Sequence, residues 1–309
     1  MTVIVRDLRP DDPEDADAAV GVLRAVLPSL VTTPGALLFT LRGAHPAEHF
    51  RVLVAEHEGR VVGVAQTGVA YESSEPGQGY CTPGVQPAHR RLGAGSLLLR
   101  TGEEHLARTG AVRASAWADD EPGALAFAAR HGYAAGRALR HQHLDLAGAA
   151  LPGPAAPPPG VELRTGADFA GDPRPLFEAD AQATLDEPGD VTVEFADYEH
   201  WLTHTWNHPL LDRELTTVAV VGGEVASFTA AHTDRATRYL SGMTGTLRAH
   251  RGRGLATLVK ADSLRRARAA GFTDAFTSND DANEPMLAVN RRFGYALSTK
   301  LVRHARALG

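Results

Sequence analysis

The sequence predicts an α+β protein of two similar domains in tandem, each a mostly antiparallel mixed sheet flanked by helices. Three observations carry that prediction. The chain has 309 residues, about twice a usual domain length, so two separate cores are expected. The stretch 148–160, Gly-Ala-Ala-Leu-Pro-Gly-Pro-Ala-Ala-Pro-Pro-Pro-Gly, is too rich in proline and glycine for a helix or sheet interior and reads as a semi-rigid spacer. Two landmarks also repeat across it. His89-Arg90-Arg91-Leu92-Gly93-Ala94-Gly95 answers His250-Arg251-Gly252-Arg253-Gly254-Leu255-Ala256, and Arg130-His131-Gly132-Tyr133 answers Arg292-Phe293-Gly294-Tyr295. Gly254 follows Gly93 by 161 residues and Gly294 follows Gly132 by 162, the signature of an internal duplication. The expected division is a first domain at 1–147, a linker at 148–160 and a second domain at 161–309.

Each half then reads the same way. A short strand opens it (Val3 to Leu8; Val161 to Arg164), followed by helical segments rich in Ala, Leu and acidic residues. A hairpin follows: Val52 to Glu56 and Val61 to Ala65 flank Glu58-Gly59-Arg60, and Thr217 to Val221 and Val225 to Ala231 flank Gly222-Gly223. Another strand (Gly79 to Val85; Tyr239 to Leu247) runs into the glycine motif. That motif opens a helix with apolar residues at i, i+3 and i+4: Ala94, Leu97, Leu98 and Leu255, Leu258, Val259. Gly110 and Gly271 end those helices, and a strand (Val112 to Trp117; Thr273 to Thr277), a short helix and a last strand complete each unit.

Composition narrows the function. Apolar residues make up 43% of the chain and charged residues 22%, an ordinary globular balance. A formal net charge of -6 with acidic runs such as Asp11-Asp12-Pro13-Glu14-Asp15 leaves no basic stripe, so no nucleic-acid partner is expected. Cys81 is the only cysteine, which rules out an intrachain disulfide and fits a reducing cytoplasm. The start lacks a basic segment leading into a long apolar one, and no run of 18 apolar residues occurs, so a cytoplasmic protein with no membrane partner is expected.

The chemistry centres on Arg251-Gly252-Arg253-Gly254-Leu255-Ala256. It lies between a strand and a helix, where free backbone N–H groups and the positive end of a helix dipole coincide. An anionic phosphate fits there, glycines at 252 and 254 clear the approach to the amides, and the arginines add charge at the rim. No Gly-Lys-Ser/Thr triplet follows, and the neighbouring hairpin is unlike a βαβ dinucleotide site.

With Arg-x-x-Gly-x-Gly/Ala after a strand in both halves, the chain resembles the GNAT superfamily of CoA-dependent N-acyltransferases. A second signature of that family, an Asn followed eleven residues later by the Gly of Gly-Phe or Gly-Tyr, is similar to the stretch from Asn279 through Asn283 and Asn290 to Gly294-Tyr295. The resemblance implies two tandem GNAT-like domains and acetyl-CoA, or another acyl-CoA, as acyl donor. It implies the diphosphate on Arg251, Gly252, Arg253, Gly254, Leu255 and Ala256. The strand Thr244, Gly245 and Thr246 would pair with the pantetheine arm and supply oxyanion-stabilising amides. Asn279, Asn283 and Asn290 complete the expected cofactor site. The architecture is similar to that of mycothiol synthase-like actinobacterial acetyltransferases.

Three departures matter. The first half has Glu121 where the signature Asn falls, so it is expected to be a degenerate copy. The family's usual Tyr is replaced by Asn290 in the second half and Ala128 in the first, so neither supplies an acid; Asn290 is expected to hydrogen-bond the CoA sulfur or pantetheine. A base is still needed. Asp186, Glu194, His200, His204, Tyr239 and His232 have suitable chemistry, and Asp186, Glu194 and Tyr239 are the named candidates. His200, His204 and His208 recur every four residues and would line one helix face; with Pro209 ending the helix and Trp201 and Trp206 interleaved, a packed wall is expected rather than a metal site. His141 and His143 share a strand face and are expected to be structural.

The expected activity is direct transfer of an acetyl group from acetyl-CoA to a primary amine of a small molecule. A non-catalytic acyl-CoA sensor or scaffold, and a protein or peptide N-acetyltransferase, remain open. So does the choice between monomer and homodimer.

Overall fold

A computed structural model describes residues 2–71, 73, 75–153, 156–186 and 197–309. The chain forms two compact units, Met1–Leu139 with Thr299–Gly309, and Arg140–Ser298. This division differs from the expected 1–147 and 161–309: the last strand of each repeat is counted, from residue 140 or 299 onward, with the other unit. Sequence adjacency is blind to such an exchange, because the two swapped strands are equivalent elements of the duplicated domain and carry the same pattern.

In the first unit, β1 (Ile4–Asp7), β2 (Arg51–His57), β3 (Arg60–Val69) and β4 (Gln78–Val85) form antiparallel neighbours. Strand β5 (Arg113–Asp119) is parallel to β4 only over Gln78–Tyr80, and its other edge takes Leu301–Ala307 antiparallel. Helices α1 (Pro13–Val26) and α2 (Pro34–Gly43) each carry proline in the first turn. Asp12 and Thr33 cap them by accepting from the N–H of Glu14 and Ala36. α3 (Ala94–Arg108) and α4 (Pro122–Arg130) complete the unit. Leu98, Leu99 and Leu106 of α3 bury against Leu53, Ala65 and Ala114 of the sheet, while Val20 and Val22 of α1 cover Val52, Val54 and Val64. Alternate strand residues thus feed two helix layers, one on each face.

The second unit repeats the plan. The stretch from residue 140 of β6 (Ala134–Asp145) borders its sheet; β7 (Val161–Thr165), β8 (Thr217–Val221), β9 (Glu224–Thr233) and β10 (Arg238–Thr246) run antiparallel, and β11 (Asp274–Asp280) lies between β10 and β6. α5 (Arg174–Thr184) and α6 (Tyr198–Trp201) lie on one face, where Leu176, Ala179 and Ala183 pack with Trp201, Trp206 and Phe228. α7 (Leu255–Ala269) and α8 (Glu284–Arg292) bring Ala261, Leu264 and Leu287 into burial; α7 packs with Ala231, Tyr239 and Ala275 on the other face. Gly110 and Gly271 follow α3 and α7 with φ of 83° and 94°, the left-handed conformation expected at a helix end.

The expected helix face of histidines is not formed. Residues Leu202–Trp206 form a π-helical turn, in which the Asn207 N–H donates to the Leu202 carbonyl. That i→i+5 geometry breaks the 3.6-residue spacing. His200 and His204 still stack with ring centroids 4.2 Å apart, and Trp201 and Trp206 are buried as a packed wall.

Candidate functional site

In the second unit, β10 and β11 pair from Arg238↔Asp274 to Ser241↔Thr277 and then part, although β10 continues to Thr246 and β11 to Asp280. A register shift between Ser241 and Thr244 marks a bulge at Gly242-Met243 against β9. Beyond it the ladder alternates: Leu247 donates to Ala226, so Gly245 also faces β9, and the N–H groups of Thr244 and Thr246 point to the open side. Among the described residues, a strand edge that no other strand pairs therefore leads from the vertex at Ser241 and Thr277 toward the glycine loop.

That loop ends in α7, whose N-cap Gly254 (φ 76°) offers no side chain to the helix amides. Gly252 has φ 75°, and a Cβ at either glycine would meet no atom within 4 Å. The glycines are thus required by backbone conformation, and the space above them is open. From Thr246 back to Ser241 is five strand rises, about 16 Å, the length of an extended arm between loop and vertex. The donor set, N–H groups at a helix start, two further edge amides and flanking guanidinium groups, fits a diphosphate with a long amide-bearing arm.

The first unit keeps the loop but not the edge. α3 has the same uncapped Gly93 N-cap with φ 87°. Its β4 keeps continuous register with β3 from Gly79 to Val85, without a bulge. Gln86 donates to Val62 in that ladder, so residue 83 faces the open side, and there Pro83 has no N–H to offer.

The expected base candidates fare differently. Asp186 is ion-paired with both Arg248 and Arg251, and these guanidinium groups hold its carboxyl down to about 2. Both of its carboxylate oxygens are engaged by these guanidinium groups, which ties it to the loop arginines instead of leaving it to take a proton. Tyr239 is completely buried in the core, its hydroxyl 2.7 Å from Ser263 Oγ, and burial pushes it up to about 12. It is a structural hydroxyl without access to a ligand. Glu194 lies outside the described residues.

Among the expected cofactor residues, Asn290 is also reassigned. It is fully buried, donating from Nδ2 to Gln142 (2.8 Å) and Asn279 (2.7 Å), while its Oδ1 accepts from Lys260 Nζ at 2.6 Å. Its polar atoms are already engaged by protein. Asn279 enters the same network, and Asn283 caps α8 by accepting from Met286 N–H at 3.3 Å. Arg251 Nε holds the Thr246 carbonyl at 3.1 Å and Arg253 contacts His250 Nδ1 at 3.2 Å. The Leu255 side chain is core, leaving only its backbone toward the loop, and Ala256 is half-buried.

The sequence reading overlooked Lys260. It is fully buried below the vertex, 3.5 Å from Thr277 Oγ1, with its Nζ 5.2 Å from the centre of the Tyr295 ring, and burial lowers it to about 7. Cys81 is buried in the first unit and its thiol is pushed up to about 12 by desolvation, so no nucleophile is offered there. His143 pairs with Asp274 at 2.8 Å, the structural role expected of it. A separate surface cavity of about 380 Å³ is lined by Trp206, His208, Asp212, Arg213 and Arg235.

A parted sheet with a bulged strand leading into a glycine loop and helix defines the GNAT type of acyltransferase fold. Residues 26–133 match the acetyltransferase (GNAT) family. That match falls in the first half, and the loop at 251–256 lies outside it. No curated protein sequence matches. Among solved structures, a GCN5-related N-acetyltransferase from Sphaerobacter thermophilus is similar over 99% of this chain and 96% of its own, with 21% identity and TM-score 0.74. A tandem GNAT protein from the clavulanic acid biosynthesis pathway, solved without AcCoA, covers 99% of both chains at 22% identity and TM-score 0.74. A GCN5-related glucosamine N-acetyltransferase region of a fungal multi-domain β-N-acetylglucosaminidase matches 98% of this chain and 38% of its own, with 17% identity and TM-score 0.65. Residues 26–133 thus carry the family's sequence pattern, and over its whole length the chain has the tandem GNAT fold.

Proposed function

We propose that the protein is an N-acyltransferase that moves an acetyl group from acetyl-CoA directly to a primary amine of a small molecule, with the second half as the catalytic domain. The carrying observation is the coincidence in that half of the bulged open edge of β10 with the uncapped glycine start of α7. The diphosphate is assigned to the amides of residues 252–256 with Arg251 and Arg253 at the rim, and the arm to the outward N–H groups of Thr244 and Thr246. Amides near the Gly242-Met243 bulge supply the donors for a carbonyl that gains negative charge during attack. The first half, with Pro83 on its open edge and Glu121 at the signature position, is read as a supporting copy. Among the described residues no helix is long and apolar enough to cross a membrane.

The test is calorimetric titration of the full chain with CoA, followed by incubation with acetyl-CoA and a panel of amino sugars, polyamines and amino acids while free thiol is measured. Thiol release with one amine class, at rates well above acetyl-CoA hydrolysis, supports the transferase. Tight CoA binding with silence across the panel replaces it with the acyl-CoA sensor, and release only with peptides replaces it with protein acetylation.

A further inference from the structure

Resting on that reading of the second half, we propose that His232 takes the proton from the attacking amine, its Nδ1 presented over the bulge of β10. His232 lies near the end of β9, opposite Leu240. Phe228 and Ala230, four and two positions earlier, pack into the α5 cluster, whereas Ala231 packs with α7. Strand alternation therefore puts His232 on the α5 face, away from Lys260. Its ring rests on Gly242: a Cβ built there would come within 2.8 Å of Nδ1 and 2.9 Å of Cε1. The glycine of the bulge is the seat of the imidazole. Nδ1 is shielded from solvent and, among the described residues, has no hydrogen-bond partner; with the ring hydrogen on Nε2 it is an acceptor beside the amides assigned to the thioester carbonyl.

A buried lone pair without a donor costs free energy and is retained where a ligand supplies the donor. An amine N–H arriving at the vertex from the α5 side is such a donor. In the step, the amine nitrogen bonds to the thioester carbon and the carbonyl π pair moves to its oxygen. The proton leaving nitrogen goes to Nδ1, with the ring's other hydrogen on Nε2. When the C–S bond breaks its pair stays on sulfur, which receives one proton, so that an amide and a free thiol are formed and the imidazole returns to neutrality. Burial lowers His232 to about 4 and His208 beside it acts in the same direction, so the lone pair is free at neutral pH. The groups on the elements packed around it are His208, edge-on at 6.1 Å, Asp212, ion-paired with Arg235, and Arg238, whose guanidinium lies over Phe276. None donates to Nδ1.

The histidines before β8 extend this site outward. His200 stacks on His204, the charge of His204 disfavours that of His208, and His208 meets His232.

Nitrogen NMR of the ring signals among the 14 histidines, with His232 identified by its loss in His232→Asn, tests the assignment without turnover. Expected are a pyridine-type Nδ1 at neutral pH and a change at that signal on adding acetyl-CoA. In parallel, His232→Asn and His232→Gln should bind CoA as the parent does while turnover with the amine found above falls by about 10²–10⁴, the usual weight of a general base, and added imidazole restores part of it. Turnover of both variants within about threefold of the parent, or an Nδ1 that carries the hydrogen or ignores acetyl-CoA, overturns the role of His232 alone. CoA binding that is indifferent to residues 252–256, or a parent silent with every amine, overturns the transferase reading and this one with it.

Discussion

Gly93 and Gly254 form a matched pair that can decide which half holds the diphosphate. Each is the N-cap of a 15-residue helix, each is left-handed (φ 87° and 76°), and neither would bring a Cβ within 4 Å of another atom. Replacement by alanine therefore imposes the same conformational cost on both loops, about 1–2 kcal/mol. No clash adds to either. If a loop relieves that strain by turning its peptide planes, the amides aimed at the ligand turn away too. Losing one or two charge-assisted hydrogen bonds, at about 1.5–3 kcal/mol each, weakens binding by a factor of roughly 10 to 10⁴. Gly254→Ala is expected to lower CoA affinity at least about tenfold in calorimetry, and Gly93→Ala to leave it unchanged, while thermal unfolding shows similar destabilisation of both. Equal losses, or a loss confined to Gly93→Ala, would refute the assignment to the second half.

Asp186→Asn frees Arg248 and Arg251 and removes a negative charge beside the loop, so CoA should bind about three- to tenfold more tightly at low ionic strength, with the gain fading in high salt; weaker binding would mean that the carboxylate positions the arginines. Tyr239→Phe leaves Ser263 without a donor and should cost about 1 kcal/mol in chemical denaturation while CoA affinity and turnover stay at parent values, because the hydroxyl is buried away from the vertex. Lys260 holds its proton in the folded state only below about 7, against 10.5 when unfolded, so between those values the unfolded chain binds more protons and stability rises with pH. Lys260→Met should flatten that rise in pH-dependent denaturation, and its stability relative to the parent should improve as the pH falls toward 7.

The order of elements was legible because both halves carry strong punctuation: glycines at helix ends, a two-glycine hairpin turn at Gly222-Gly223, and apolar spacing that changes from period 2 to 3.6. The loop was legible for the same reason. The bulge was not, since Gly242-Met243 sits inside an otherwise regular strand pattern and its register is set by pairing with β9. Asp186 and Tyr239 had the right chemistry but the wrong surroundings: one is neutralised by arginines 62 and 65 residues away, the other is bonded to a serine on the packed helix α7. Those partnerships are tertiary and leave no local trace. His232 did leave one, because two-residue spacing from Phe228 and Ala230 assigns it to the same face as the aromatic cluster.

The comparison between repeats separates what the fold requires from what the second half adds. At the position equivalent to Lys260 the first half has Leu99, and at that of Asn290 it has Ala128, both buried. A leucine and an alanine therefore satisfy this fold at these points, and the polar network is no condition of folding. Burying an ammonium without a carboxylate partner costs free energy, relieved here by Asn290 Oδ1, Thr277 and the face of Tyr295, and by a lowered proton affinity. The cost falls only in the half whose neighbouring strand has the bulge and the outward amides. Exchanging the pair together, Lys260→Leu with Asn290→Ala, should give a folded protein at pH 7, its stability set by the relief of the buried ammonium against the loss of the Asn290 donor to Gln142 and Asn279. If the network serves only packing, CoA affinity and turnover will survive the exchange; if it stiffens the vertex where β10 and β11 part, turnover will fall while calorimetry still shows CoA bound.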